Sequence, residues 1–389
     1  MNKILTLNNI SVAGLERLPR DKYEVASEIQ HPDGILLRSF KMHDMDIPAS
    51  LKAVGRAGAG VNNIPLDKMT EKGVCVFNAP GANSNAVKEL VIAGMLMACR
   101  NIGQAWDFSK NLEGSDTEIG KATEAGKKNY GGFELPGRTL GVVGLGAIGM
   151  RIANAAIALG MNVIGFDPGI TVKGAWQLDA SVKQASSVEE LLNSSDFVTF
   201  HVPLIDATKD LINDERLANM KDNVVILNFA RSGIVNDEAM VRALDSGKAY
   251  AYVCDFPTNL LKNHSKVITL PHLGASTREA EENCAIMVAD QVKDYLENGN
   301  VLNSVNFPEV KMARTEGAFR LSVVNSNVPN MLGQISSSLA DAGLNIIDML
   351  NKSLGEVAYT LVDVDQAISD DVVAKMNDIE GVLAVRAVG

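Results

Sequence analysis

The run Leu140-Gly141-Val142-Val143-Gly144-Leu145-Gly146-Ala147-Ile148-Gly149 decides how this chain folds. An apolar strand pattern runs into GxGxxG, and a helix pattern follows with apolar side chains at 148, 152, 156 and 159. Each glycine has a job in such a turn. Gly144 permits the tight reversal, Gly146 lets the backbone approach a pyrophosphate, and Gly149 lets helix and strand pack closely. The helix start at Ala147 and Ile148 offers unpaired N–H groups and the positive end of the helix dipole to phosphates. A second strand, 162–166, leads to Asp167, 18 residues beyond Gly149. An acid there accepts hydrogen bonds from ribose hydroxyls and repels a 2′-phosphate. Pro168-Gly169-Ile170 brings no arginine to welcome one. The expected cofactor is therefore NAD, not NADP.

The same alternation extends outward from this turn. Strands are expected at 197–201, 224–229, 250–255 and 266–270, with helices at 188–193 and 236–245. Strand–helix repetition of this kind predicts a Rossmann-type doubly wound parallel sheet, an α/β fold. Upstream, 3–7, 34–38, 52–55 and 74–77 are compact apolar runs of the buried parallel type. A helix is expected over 84–101, and the polar, glycine-rich stretch 111–132 reads as a surface excursion. The amphipathic segment 276–297 opens with Ser276-Thr277-Arg278-Glu279, which has the form of a capping box. Segment 303–317 reads as a linker. Beyond it, strands at 319–324, 345–351, 356–364 and 383–387 alternate with helices at 329–342 and 370–377. That order, βαββαβ, is ferredoxin-like.

Composition narrows the functional classes. The chain has 389 residues, 36 Lys and Arg against 47 Asp and Glu, and a net charge of −11. Such a balance argues against a general nucleic-acid or anionic-membrane binder. An anionic substrate must then find its own local cluster of cations. The longest wholly apolar run, 90–99, is too short to span a bilayer. The first residues carry no signal-peptide pattern. Cys75, Cys99, Cys254 and Cys284 are scattered without metal-ligand spacing, so no structural metal site is expected and the thiols suit a reducing cytoplasm.

Two of the five histidines, His201 and His272, fall where strands end, and so do Arg231 and Asp255. In open α/β sheets the ligand crevice lies beyond the carboxyl ends of the strands. An arginine can clamp a carboxylate in a fork while a histidine removes a hydroxyl proton as hydride leaves. Arg38, Lys41 and Arg56 sit at or just past strand ends in the first region, with Ser39 beside them. Bidentate arginine with backbone N–H groups at Gly58, Ala59 and Gly60 suits a phosphate monoester. His31, His43 and His264 read as loop or surface residues.

At these residues the chain resembles the D-2-hydroxyacid dehydrogenase family, and its phosphoglycerate branch in particular. The resemblance spans nearly the whole chain. It rests on Arg56-Ala57-Gly58-Ala59-Gly60-Val61, Asn78-Ala79-Pro80-Gly81-Ala82-Asn83-Ser84, the glycine turn, Asn228–Gly233, and Pro271-His272-Leu273-Gly274-Ala275-Ser276-Thr277. It implies NAD-dependent oxidation of D-3-phosphoglycerate to 3-phosphohydroxypyruvate, the entry to serine synthesis. It assigns Arg231 to the substrate carboxylate, His272 to acid/base work and Asp255 to the nicotinamide carboxamide. His201, Val202, Pro203, Ala230 and Gly274 then line the cofactor, while Arg38, Ser39, Arg56 and Asn83 contact substrate. It further implies a discontinuous flavodoxin-like substrate domain (1–84 and 274–302), an NAD domain (85–273), the linker (303–317) and an ACT regulatory domain (318–389). Serine is the implied ACT ligand, through Asn325, Asn327 and Asn345, and a homodimer or homotetramer is implied.

Two departures stand out. The family places a glutamate shortly after the equivalent of Asp255, where it bonds the catalytic histidine; here the stretch is Asp255-Phe256-Pro257-Thr258-Asn259. An amide at 259 can orient an imidazole but cannot stabilise imidazolium by charge. In the ACT turn Asn325 stands where histidine is usual, and Asn330 replaces a glycine, which asparagine's tolerance of the left-handed region allows. A reductase of glyoxylate or hydroxypyruvate would not need the cationic pair, and a non-catalytic NAD-sensing protein would need neither Arg231 nor His272.

Overall fold

Parallel strands buried on both faces read as continuous apolar runs, and two such sheets carry this chain. The structure is a computed structural model that describes residues 1–389, the side chain of Lys173 excepted. It divides into two units, Met1–Ala82 with Glu281–Gly389, and Asn83–Ala280.

In the first unit, β1 (Asn2–Leu7), β2 (Tyr23–Ala26), β3 (Gly34–Leu37), β4 (Ala53–Arg56) and β5 (Cys75–Phe77) form a parallel sheet of order β2-β1-β3-β4-β5. Ile35, Leu37, Val54 and Val76 bury one face. Leu36, Ala53, Cys75 and Phe77 bury the other against Val288, Val292 and Tyr295 of the helix Arg278–Asn298. The order is flavodoxin-like, so its switch point lies between β1 and β3, and the ligand crevice is expected beyond the carboxyl ends of those strands.

The same unit carries an antiparallel sheet, β13 (Phe319–Ser326), β14 (Ile346–Leu354), β15 (Val357–Val364) and β16 (Val382–Val388), in the order β14-β15-β13-β16. Helices Met331–Asp341 and Asp370–Asn377 cover one face, with Ile335, Leu339 and Met376 in the core. The opposite face puts Val324, Tyr359 and Leu361 into the core shared with Phe77 and Tyr295. The segment 303–317, expected as a linker, is bonded to the first sheet instead. The Val305 N–H donates to the Val76 carbonyl, the Asn306 amide reaches the Val74 carbonyl at 2.9 Å, and Phe307 and Val310 are buried. Arg320 locks the junction. All five of its N–H donors are used, two on Asp363 at 2.6 and 2.9 Å and three on the carbonyls of Asn298, Met312 and Ala313. Burial pushes the Asp363 carboxyl up, but the bonds from Arg320 and the Thr315 N–H outweigh it and hold the group below its ordinary value.

The second unit is a seven-stranded parallel sheet. Its strands are β6 (Thr139–Val143), β7 (Asn162–Phe166), β8 (Lys183–Gln184), β9 (Phe197–Phe200), β10 (Val224–Asn228), β11 (Ala249–Cys254) and β12 (Val267–Thr269), in the order β12-β11-β10-β9-β6-β7-β8. The strand order reverses between β6 and β9, the switch point where such sheets bind ligands. Three local expectations change. The excursion 111–132 holds a helix, Asp116–Gly126, whose Ser115–Glu118 capping box offsets its poor composition. The helix expected over 84–101 ends at Cys99, because Asn101 turns left-handed (φ 51°) and starts a second helix, Ile102–Lys110. The helix expected from Ser276 begins at Arg278, with Thr277 Oγ1 accepting the Ala280 N–H at 3.1 Å. Among the described residues, no helix is long and apolar enough to cross a membrane.

Candidate active site

The glycine turn sits at the switch point, and each glycine is held differently. Gly144 has φ 90°, and its N–H donates to the Phe166 carbonyl at 2.9 Å. A Cβ on it would meet the His201 carbonyl oxygen at 2.5 Å, so the ends of β7 and β9 both close on this residue. A Cβ on Gly149 would lie 1.9 Å from the Gly144 oxygen, which fixes how closely the helix Ala147–Ala158 meets the turn. Around Gly146 nothing lies within 4 Å of that position. The space there is open, as a pyrophosphate approaching the helix start requires. Asp167 is fixed by two backbone donors, Leu145 N–H to Oδ2 and Gly169 N–H to Oδ1, each at 2.8 Å. Each oxygen keeps a further lone pair for a ribose hydroxyl.

Beyond β9, the His201 N–H donates to the Val143 carbonyl at 2.7 Å, and its ring Nε2 meets Thr199 Oγ1 at 2.9 Å. Burial pushes this imidazole down to about 3, so it is neutral at physiological pH. Val202 packs against the domain core, and Pro203 is exposed with its carbonyl accepting from Thr208 Oγ1 at 2.6 Å.

Asp255 follows β11 and is 1% exposed. Oδ2 accepts the Gly274 N–H at 3.0 Å, and its backbone carbonyl accepts the His272 N–H at 3.1 Å. Oδ1 is buried with no donor. A buried carboxylate oxygen without a partner is costly, and an amide N–H from a ligand fits it. The open space at Gly146, the fixed Asp167 and this oxygen fit NAD. The turn bearing His272 is left-handed at that residue (φ 54°), a conformation that clusters at functional sites. The His272 ring lies 5.3 Å from that of Phe256, and Asn259 is exposed.

Asn228, a residue with no chemical signal of its own in the sequence, builds the turn after β10. It is 1% exposed; its Nδ2 donates to the Arg231 carbonyl at 2.9 Å and its Oδ1 accepts the Ala230 N–H at 3.2 Å. Arg231 is exposed, with Nη1 donating to the Ala230 carbonyl at 2.7 Å. The second unit thus brings together Asp167, His201, Ala230, Arg231, Asp255, His272 and Gly274 at strand ends of one sheet. Asn83 also belongs to this unit, at the start of the helix Ser84–Cys99, with a buried and unpartnered Oδ1.

In the first unit, Arg38 follows β3 and Arg56 ends β4, on adjacent strands. Arg56 Nε donates to the Arg38 carbonyl at 3.0 Å, and Arg38 Nη1 meets Glu281 Oε1 at 2.5 Å. The Arg56 guanidinium lies over Gly58, where a Cβ would come within 1.8 Å of Nη1. The loop is pinned by Asn78 Nδ2 on the Ala59 carbonyl (2.6 Å) and by the Ala79 N–H on the Gly58 carbonyl (3.0 Å). Ser39 is exposed and Gly60 is half-buried. Glu281 had no local signal, since only the fold brings it to Arg38.

The three asparagines of the C-terminal sheet fall into two groups. Asn325 is buried, donates to the Ser326 carbonyl and leaves Oδ1 unpartnered; Asn327 donates to the Gly355 carbonyl. Asn345 precedes β14, whose first residue shares a level with Phe319 through Val364. Six strand residues, roughly 20 Å, separate that level from Asn325. Asn330 is left-handed (φ 67°), as its replacement of a glycine requires.

Residues 92–274 match the family described as D-isomer specific 2-hydroxyacid dehydrogenase, NAD binding domain. The chain belongs to the D-isomer specific 2-hydroxyacid dehydrogenases. It is 32% identical to the D-3-phosphoglycerate dehydrogenase of Haemophilus influenzae over 95% of this chain and 89% of that protein. To the D-3-phosphoglycerate dehydrogenase of Methanocaldococcus jannaschii it is 36% identical over 88% of this chain, but it spans only 63% of that protein's length. Among solved structures, the NAD+-bound 3-phosphoglycerate dehydrogenase of Entamoeba histolytica superposes with a TM-score of 0.60 at 26% identity, over 78% of this chain and 98% of that one.

Proposed function

We propose that this chain oxidises D-3-phosphoglycerate to 3-phosphohydroxypyruvate. The observation that carries this reading is the arginine pair, Arg38 and Arg56, fixed on adjacent strand ends in a chain whose net charge is −11. A simple hydroxy acid has no use for two such cations, and a phosphate monoester does. Arg231 holds the substrate carboxylate and carbonyl oxygen, on a turn shaped by Asn228. His272 takes the proton of the C2 hydroxyl on a ring nitrogen as the C2 hydrogen departs. NAD, when bound, supplies the hydride acceptor at the nicotinamide. Asp255 orients that ring through its carboxamide, and Asp167 and the glycine turn hold the ribose and pyrophosphate.

The split between Asn325 with Asn327 and Asn345 supports a second element of the proposal. The C-terminal sheet is an ACT module, and a serine site drawing on all three side chains takes them from two copies of the chain. A homodimer or homotetramer follows. Single-turnover NADH formation with D-3-phosphoglycerate, set against D-glycerate and D-lactate, tests the reaction. A burst with the phosphorylated substrate alone is expected, and equal bursts with all three would overturn it. Serine titration of the full chain by calorimetry tests the module, and no heat would remove the serine site.

A further inference from the structure

A cavity of about 510 Å³ opens in the first unit where the parallel sheet meets the C-terminal strands. Its charged lining side chains are Lys22, Lys52, Arg314 and Arg386 against Asp21 and Glu297. A surplus of cations around one cavity runs against the acidic composition of the whole chain. Arg314 and Arg386 are also held without carboxylate partners. Arg314 donates to the Glu297 carbonyl at 3.2 Å and the Val388 carbonyl at 2.7 Å. Arg386 donates to the Tyr295 carbonyl at 2.9 Å and stacks 4.3 Å from the Tyr295 ring, and its Nε lies buried in the wall with no partner. These bonds orient both guanidinium groups without pairing them to a side-chain carboxylate among the described residues; the backbone of Gly389, against Arg314, lines the same cavity. The Glu297 carboxylate is engaged by the Tyr23 hydroxyl at 2.9 Å, and Lys52 is shared with Asp33 at 2.8 Å. Lys22 is exposed, and no ion pair to it occurs among the described residues. From this geometry we propose that the cavity binds a compact phosphate-type dianion, bridging Lys22 and Lys52 of the parallel sheet to Arg314 and Arg386 of the C-terminal portion.

This site is distinct from the arginine pair assigned to substrate. Lys52 precedes β4 and Arg56 ends it, so the two positions are a strand length apart, roughly 13 Å. The volume lies in the range of small-ligand sites, and preorganised arginine forks with lysine point charges are the usual means of holding phosphate. An anion so placed joins β16 to the start of β2 and stiffens the junction between the two sheets.

The test is calorimetric titration of inorganic phosphate into the full chain at fixed ionic strength, with NADH binding as the control for folding. Arg56→Ala is expected to leave one phosphate-binding event intact. In that background Lys22→Glu is expected to weaken the event at least tenfold, and Arg314→Ala to do the same, with NADH affinity unchanged. Phosphate is also expected to slow amide exchange across Val382–Val388. Phosphate binding in the Arg56→Ala background that is indifferent to both Lys22→Glu and Arg314→Ala would overturn the proposal, and so would its absence in that background. Either result leaves the reading of Arg38 and Arg56 as substrate groups untouched. Citrate in a parallel titration separates phosphate from polycarboxylate; tighter binding of citrate than of phosphate would contradict the ligand class.

Discussion

Replacing Asn228 with leucine tests whether the turn that presents Arg231 is set by one buried amide. The leucine keeps the volume and removes both hydrogen bonds, the donation to the Arg231 carbonyl at 2.9 Å and the acceptance from Ala230 at 3.2 Å. A neutral hydrogen bond contributes about 1 kcal/mol net, so the observed turn loses about 2 kcal/mol relative to its alternatives. At about 1.4 kcal/mol per tenfold, the population with Arg231 in place falls roughly 30-fold. Steady-state NADH formation from D-3-phosphoglycerate should therefore show kcat/KM for Asn228→Leu down by that factor. NADH affinity, followed by fluorescence, should fall far less than kcat/KM, because Asn228 meets the residues assigned to the cofactor only at the Ala230 N–H. A kcat/KM within threefold of wild type, in a background where Arg231→Ala is strongly impaired, would refute the reasoning.

Asp363→Leu leaves the Arg320 guanidinium buried without its counter-charge, and should destabilise the chain by about 3–5 kcal/mol in urea unfolding at pH 7. Asp363 is held below its ordinary value when folded, so its contribution is present above about pH 4 and fades as pH falls through the folded value. The gap between wild type and variant should narrow accordingly in acid. Gly149→Ala forces a Cβ to within 1.9 Å of the Gly144 oxygen, and should weaken NADH binding at least about tenfold with the far-ultraviolet dichroism unchanged. Asp167→Ala removes the acid expected to repel a 2′-phosphate. The ratio of NADP to NAD turnover should rise at least about tenfold, and an unchanged ratio would free Asp167 of that role.

What could be read from the sequence is what is local. The glycine turn, the helix after it and Asp167 lie within 24 consecutive residues, and their chemistry depends on spacing alone. The fully buried strands β3, β9 and β10 announce themselves as apolar runs. β2 did not, since Tyr-Glu-Val-Ala alternates on a partly exposed edge, and neither did β8, two exposed residues long. The helix Asp116–Gly126 was hidden by its glycines and polar residues, and rests on a cap and on Phe108 packing where Gly126 leaves room. Segment 303–317 looked like a linker because its partners, Val74 and Val76, are more than 200 residues away. At the site, Arg231 and His272 were visible as strand-end residues. Asn228 and Glu281 were not, because their work is to hold another side chain or turn, and only the folded chain shows that.

In the proposed reaction, Arg38 and Arg56 select a phosphorylated hydroxy acid on an otherwise acidic chain. Arg56→Ala, assayed in parallel with D-3-phosphoglycerate and D-glycerate, tests it most directly. Loss of a charge-assisted fork of about 3 kcal/mol corresponds to roughly a hundredfold. KM for D-3-phosphoglycerate is expected to rise by about that factor while KM for D-glycerate stays within threefold. An equal rise for both substrates would contradict it.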